Sequence, residues 1–285
     1  MNITLTAGDA TAWIRPEVGG RLGSLSVAGR ELLRREDAAG DLGWAFWGAY
    51  PLVPWSNRVV GGRVVLEDET FDVPTNWPDG TAIHGLVATA PWEVEHADDR
   101  TAILATRVHH DPWALSCRST FVIHRSELTW ELAVHNDADR SVPVGLGIHP
   151  WFRHGPLSVP AAAYWPTQDC LPTGPPEPVG ADIDLREQRQ APPLDVCYTG
   201  LEGASAQIAA LQLRWTGPIE HVVVYAADPD WLCVEPVSNV NDPFNVRARG
   251  LPGDGLIDVA PGGSLVAVYT FDWSALVGPE GPPIG

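Results

Sequence analysis

Leu128, Trp130, Leu132 and Val134 alternate with Thr129, Glu131, Ala133 and His135, a period of two that suits an extended strand with one buried face. The surrounding stretch, CRSTFVIHRSELTWELAVHN, reads as a hairpin. RVVLEDETFDVP reads as a second hairpin, closed near Asp68 and Glu69, and WEVEHADDRTAILATRVHH as a third, turning at Asp98 and Asp99. HVVVYAA, WLCVEPV and SLVAVYTF add further apolar runs separated by turn residues. Sustained 3.6-residue periodicity is nearly absent, and 28 Gly and 27 Pro would interrupt helices repeatedly. The expectation is therefore an all-β protein, a sandwich or barrel in which curved sheets bury one face against the other. One domain is expected over residues 1–277, with a frayed tail, GPEGPPIG, at 278–285. The turn-rich stretch PTGPPEPVGADIDLREQRQAPP is long for a plain connection and is expected to border a binding site.

Charge and composition exclude several function classes. A formal net charge of -18 lacks the basic footprint that nucleic acid or an anionic membrane surface requires. All 18 basic residues are Arg, so lysine Schiff bases, lysine-held pyridoxal phosphate and a phosphate-loop lysine are all ruled out. No run approaches the length of an apolar membrane span, and MNITLTAGDA lacks the basic and apolar regions of a secretory signal. A cytoplasmic protein is expected. Cys117, Cys170, Cys197 and Cys233 are too widely spaced for a CxxC metal or redox motif and read as small apolar residues.

Five polar features stand among apolar or aromatic residues. They are Asn57 and Arg58 in PWSNRVVGGR, His84 in TAIHGLV, His149 in GLGIHPWF, Asp195 in PPLDVCYTG and Glu235 in WLCVEPVSNVNDPFN. Glu235 follows four apolar residues and precedes Pro236, which places it at a strand end beside a cavity, where partial burial would raise its pKa and make it a usable base. The alternative is a carboxylate paired with Arg58 or capping a turn. His149 can give or take a proton near neutrality in a pocket lined by Trp151 and Phe152, or can be a satisfied core histidine. Gly85 beside His84 leaves room for a ligand to approach the backbone. Most of the 13 Trp must be core, while one or two could present a flat face to a sugar ring. His84, His149 and Glu235 are also metal-ligand types, but no HxH, HExxH or His-pair spacing supports a metal site, and the adjacent His109 and His110 would point to opposite faces of a strand.

Taken in order, these segments resemble the aldose 1-epimerase (galactose mutarotase) family. VGGRLGSLSVAGRELL looks like its opening hairpin, and YPLVPWSNRVVGGRVVLEDETFDVPTN followed by IHGLV resembles its Asn-Arg and His-Gly segments. GIHPWF is similar to its His-Pro-aromatic motif, LDVCYTG to its Asp segment and CVEPVSNVNDPFN to its Glu-Pro segment. The resemblance implies a galactose-mutarotase-like β-sandwich, or supersandwich, of mostly antiparallel strands. It also implies interconversion of the α and β anomers of a free aldose by acid/base ring opening, without cofactor or metal. By carry-over, Glu235 is the general base on the C1 hydroxyl and His149 the general acid on the ring oxygen. Arg58, His84 and Asp195 bind and orient the sugar, with Asn57 beside them. His84-Gly85-Leu86 departs from the His-Gly-Gly of many relatives.

A small-molecule sugar is thus the expected partner, bound by a monomer or homodimer. Two rivals stand beside this reading: an epimerase for an anionic hexose (6-phosphate or sulfonate), which needs clustered Arg, and a non-catalytic carbohydrate-binding module. The joint presence of Glu235 and His149 separates the enzyme from the module, because a lectin-like site needs hydrogen bonds but not a matched acid and base.

Overall fold

The computed structural model describes residues 2–66 and 69–277. Within them the chain forms an 11-stranded and a 9-stranded sheet, with four two-stranded ribbons. Every strand pair in the two sheets is antiparallel, as in Trp113–Ile123 against Glu127–Asn136 and Glu93–Ala97 against Thr101–His110. The hairpin expected in RVVLEDETFDVP, Arg63–Leu66 with Glu69–Asp72, is also present. Asp68, expected at its turn, and the tail at 278–285 lie outside the described residues.

The smaller sheet obeys simple alternation. Along Trp113–Ile123 every second residue is buried, so Cys117 and Phe121 face inward while Arg118 is exposed to solvent. The inward row meets the larger sheet in one shared cluster that includes Trp113, Trp130, Phe121, Tyr269 and Phe271 from one side and Leu22, Ile148, Phe152, Leu232 and Val234 from the other. Burial of such side chains is the main source of stability in a sandwich.

The central strands of the larger sheet are covered on both faces. All seven residues of Trp231–Val237 are buried, which explains why this segment reads as an unbroken apolar run. Leu232 and Val234 enter the shared core, whereas Cys233 and Glu235 point to the opposite face. Pro236 does not end the strand as expected. It pairs opposite Val222 and the strand continues to Val237, so Glu235 lies inside the ladder and not at its tip.

One loop expectation also changes. The 172–193 stretch supplies short strands, Glu177–Pro178 and Arg189–Gln190, that extend the edges of the larger and smaller sheets. No described residue of that stretch lines the cavity beside Glu235. It serves as edge cover, satisfying backbone groups that an open strand would expose.

Candidate active site

Register across the larger sheet assembles the site. His149 pairs opposite Tyr50 on one side. On the other, the pairs Gly147 with Val237 and Trp151 with Cys233 bracket His149 and Glu235, which therefore stand opposite each other on neighbouring strands. Glu235 in turn pairs with Val223. A parallel row two residues along runs Trp151, Cys233, Tyr225, Asp195. Because side chains on one face recur every second residue, these two rows form the floor of a single cavity of about 240 Å³. Asn57, Arg58, Trp77, Ile83, His84, Ala45 and Phe46 close it from above.

All six residues singled out from the sequence, Asn57, Arg58, His84, His149, Asp195 and Glu235, line this cavity. Trp151 lines it too, but Phe152 does not: one residue further along the strand it packs against Phe271 in the core. Phe46, Trp77, Tyr225 and Cys233 were not anticipated. A period-two count from His149 would have found Trp151 and excluded Phe152, whereas Phe46 ends a single 3-10 turn, Trp44–Phe46, and Trp77 lies in a bend, neither marked by any periodicity.

Nε2 of His149 lies 3.2 Å from Oε1 of Glu235, and both side chains are almost wholly buried. They are neighbours on one floor and do not face each other across a ring-wide cleft. Nδ1 of His149 and Oε2 of Glu235 have no hydrogen-bond partner among the described residues. The His149 ring stacks on Tyr50 at 4.7 Å and meets His84 edge-on at 4.8 Å, contacts that fix its plane. Burial lowers the His149 pKa to about 3, and the buried Arg21 guanidinium adds to the effect. Burial likewise pushes Glu235 well above the ordinary carboxylate range; Asp195 adds to this and Arg58 opposes it. Both directions favour a neutral resting pair with the proton on Glu235, in place of the expected carboxylate and imidazolium.

The upper wall is bracketed by two residues in left-handed backbone, Asn57 at φ 54° and His84 at φ 63°. His84 N–H donates to the Asn57 carbonyl at 2.9 Å, and Asn57 N–H donates to Nδ1 of His84 at 3.3 Å. The accepting Nδ1 places the His84 hydrogen on Nε2, while burial and the nearby His149 and Arg58 keep this ring neutral. Gly85, at φ 74°, lies so close to Val53 that a Cβ there would fall 2.1 Å from its carbonyl oxygen. Asn57 Oδ1 accepts from the Arg58 backbone at 2.9 Å and from Arg58 Nη1 at 3.3 Å, while Arg58 Nε donates to Asp79 at 3.1 Å. Arg58 is thus aimed by neighbours and makes no ion pair with Glu235. Asp195, at the mouth, keeps solvent access and accepts from Cys170 Sγ at 3.5 Å; partial enclosure raises its pKa.

The described residues also show an open groove of about 900 Å³ over the outer face of the smaller sheet, beside Arg107, Arg118 and His135. It has no buried acid and base.

Residues 1–230 match the model of the aldose 1-epimerase family. The chain belongs to this family. It is 28% identical to the Escherichia coli K12 protein YphB, of uncharacterized function, over 244 residues, covering 76% of this chain and 81% of that one. Its fold matches that of a provisional aldose 1-epimerase of Escherichia coli K12 with TM-score 0.84 and 22% identity, covering 95% and 98% of the two chains. A galactose mutarotase-like protein of Clostridium acetobutylicum superposes with TM-score 0.79 and 18% identity over 94% and 93% of the chains. The architecture is therefore the antiparallel galactose-mutarotase-like sandwich, and membership of the aldose 1-epimerase family supports an isomerase with a sugar substrate. Glu235 lies beyond the family-matched residues, so its place in the site comes from the strand register. Among the described residues no helix is long and apolar enough to cross a membrane.

Proposed function

We propose that the protein interconverts the α and β anomers of a free, uncharged aldose, with Glu235 and His149 moving the protons. The observation that carries this reading is the 3.2 Å contact between the two groups on the floor of a sugar-sized cavity. Opening a hemiacetal requires a proton to leave the C1 hydroxyl while another reaches the ring oxygen. Both oxygens are bonded to the same carbon, so an acid and a base side by side suit them better than groups on opposite walls.

In the empty site the shared proton rests on Glu235. Hydroxyl donors of a bound sugar, together with Arg58, stabilise the carboxylate, and the proton moves along the existing contact to His149. Glu235 then accepts the C1 hydroxyl proton as His149 protonates the ring oxygen. The aldehyde rotates about C1–C2 and the ring closes with the two roles exchanged. Each positioned transfer contributes about 10²- to 10⁴-fold. The neutral His84, with Nε2–H free to donate, and Arg58 hold the ring-oxygen side, while Asp195 accepts from a hydroxyl at the mouth. Trp77 and Trp151 offer apolar faces to the ring.

The charge inventory favours a neutral sugar. Arg58 is the cation among the lining residues and is already paired with Asp79, while Asp195 and Glu235 also border the cavity. A phosphate or sulfonate would meet the Asp195 carboxylate and a guanidinium already neutralised by Asp79. Polarimetry or NMR on freshly dissolved glucose, galactose, glucose 6-phosphate and a sulfonated hexose tests the reading. Acceleration with the neutral sugars is expected, and acceleration confined to the anionic ones would overturn it. No acceleration with any aldose, despite saturable binding, would leave a carbohydrate-binding module.

A further inference from the structure

Cys233 is the buried floor group that the proton transfers leave unused. It sits two residues before Glu235 on the same face of the strand, directly opposite Trp151, and its side chain is fully buried against the cavity. One ligand atom from each of His149, Cys233 and Glu235 can be chosen so that all three lie within 4.8 Å of one another. The His149 Nε2 to Glu235 Oε1 separation of 3.2 Å already matches two ligands on one tetrahedral ion. Zinc bonds of about 2.0–2.3 Å to nitrogen, oxygen and sulfur put neighbouring ligands roughly 3.3–3.8 Å apart, so a small side-chain adjustment completes the set.

The donor chemistry narrows the ion. One sulfur, one imidazole nitrogen and one carboxylate oxygen suit a borderline-soft divalent ion such as zinc, whereas magnesium and calcium require oxygen ligands throughout. Three protein ligands on a floor leave the fourth position facing the cavity, open to water or a sugar hydroxyl. The unpartnered Oε2 of Glu235 supplies a further lone pair at the same point.

We propose that His149, Cys233 and Glu235 form a binding site for Zn²⁺ that competes with the sugar and silences the enzyme. On binding, the Cys233 S–H bond gives its proton to the buffer as the zinc–sulfur bond forms, and the proton shared by His149 and Glu235 is also released. No electron changes hands. The ion occupies the lone pairs that would otherwise handle the C1 hydroxyl and ring-oxygen protons. The inhibitory half of this proposal rests on the proposed mutarotation, while the binding half does not.

Titration calorimetry of the chelator-treated full chain with Zn²⁺ is expected to show one site per chain, proton release and weakening by saturating sugar, with no corresponding site for Mg²⁺. Co²⁺ in the unmodified protein is expected to give a thiolate-to-cobalt absorption band in the near ultraviolet, a readout that needs no variant. Cys233→Ala should weaken Zn²⁺ binding by at least about tenfold, the loss that even an outer partner of a metal ligand causes. Absence of stoichiometric Zn²⁺ binding, a Co²⁺ spectrum without the thiolate band, or unchanged Zn²⁺ affinity in folded Cys233→Ala would each overturn the site. Zinc bound through the thiolate in a protein that accelerates no mutarotation would sustain the site and remove the functional reading instead. Zinc bound there without competition from sugar would overturn the inhibitory half.

Discussion

Glu235 and His149 hold one proton between them whether the pair is written as carboxylic acid and imidazole or as carboxylate and imidazolium. The pH–rate profile therefore reports gain of a second proton and loss of the only one, and both steps belong to the pair. Burial moves the first step down towards the value of about 3 given for His149, and moves the second above the ordinary carboxylate range. The profile is expected to be bell-shaped with its acid limb well below the usual histidine value of 6.5, measured as mutarotation rate against pH. An acid limb near 6.5 would show that His149 is not desolvated in the working enzyme. Glu235→Gln keeps the shape and the hydrogen bond but removes the proton acceptor. It should lower the catalysed rate by about 10²- to 10⁴-fold while leaving sugar binding largely intact, as read by polarimetry and by titration with the sugar. A rate equal to that of the unmodified enzyme would end the assignment of Glu235 as base.

At the level of elements, the floor is rigid sheet and the roof is loop, and the joint that holds His84 is narrow. Gly85→Ala would force a Cβ against the Val53 carbonyl in a backbone region that side chains disfavour. The expected outcome is a lowered melting temperature together with a loss of activity greater than the lost folded fraction explains, because His84 is displaced; activity per folded molecule, corrected by circular dichroism, checks it. The same elements show what was legible beforehand. The smaller sheet announced itself, since one wet face leaves a visible alternation in Glu127–Asn136. The central strands of the larger sheet hid their faces because both sides of Trp231–Val237 are buried, so Cys233 read as a small apolar residue and Pro236 as a strand end. The six polar candidates were visible as charge, amide and imidazole inside apolar surroundings. Their convergence was not, because it depends on pairings between strands as distant as Asp195–Leu201 and His221–Tyr225 or Ala49–Leu52 and Gly147–Arg153. Nor did composition betray that the 172–193 stretch trims sheet edges and leaves the cavity to others.

For the molecule as a whole, three buried imidazoles set the response to acid. His221 is pulled from 6.5 to about 4 by burial, partly offset by the Gly253 backbone and the Asp254 charge, and His84 and His149 are lowered for the same first reason. A depressed histidine favours folding fully above its unfolded value of 6.5, and that contribution is lost as pH falls towards the folded value, because the unfolded chain binds the proton first. Glu235, Asp195 and Asp242, all raised, act in the opposite sense above their ordinary carboxylate values of 4.5 and 3.8. The imidazole share of the response is isolated at His221: the melting temperature of His221→Leu relative to the unmodified protein should rise progressively from pH 6.5 to pH 4, as read by thermal melts at fixed ionic strength. The double coverage of the Trp231–Val237 strand has a consequence for divergence among such proteins. Alternate residues of one short segment answer to two masters, the packing of the sandwich and the chemistry above it, so drift there is doubly penalised. New sugar preferences should accordingly accumulate in the overhanging loops around Phe46 and Trp77, where a substitution can reshape what is admitted without disturbing the slab beneath.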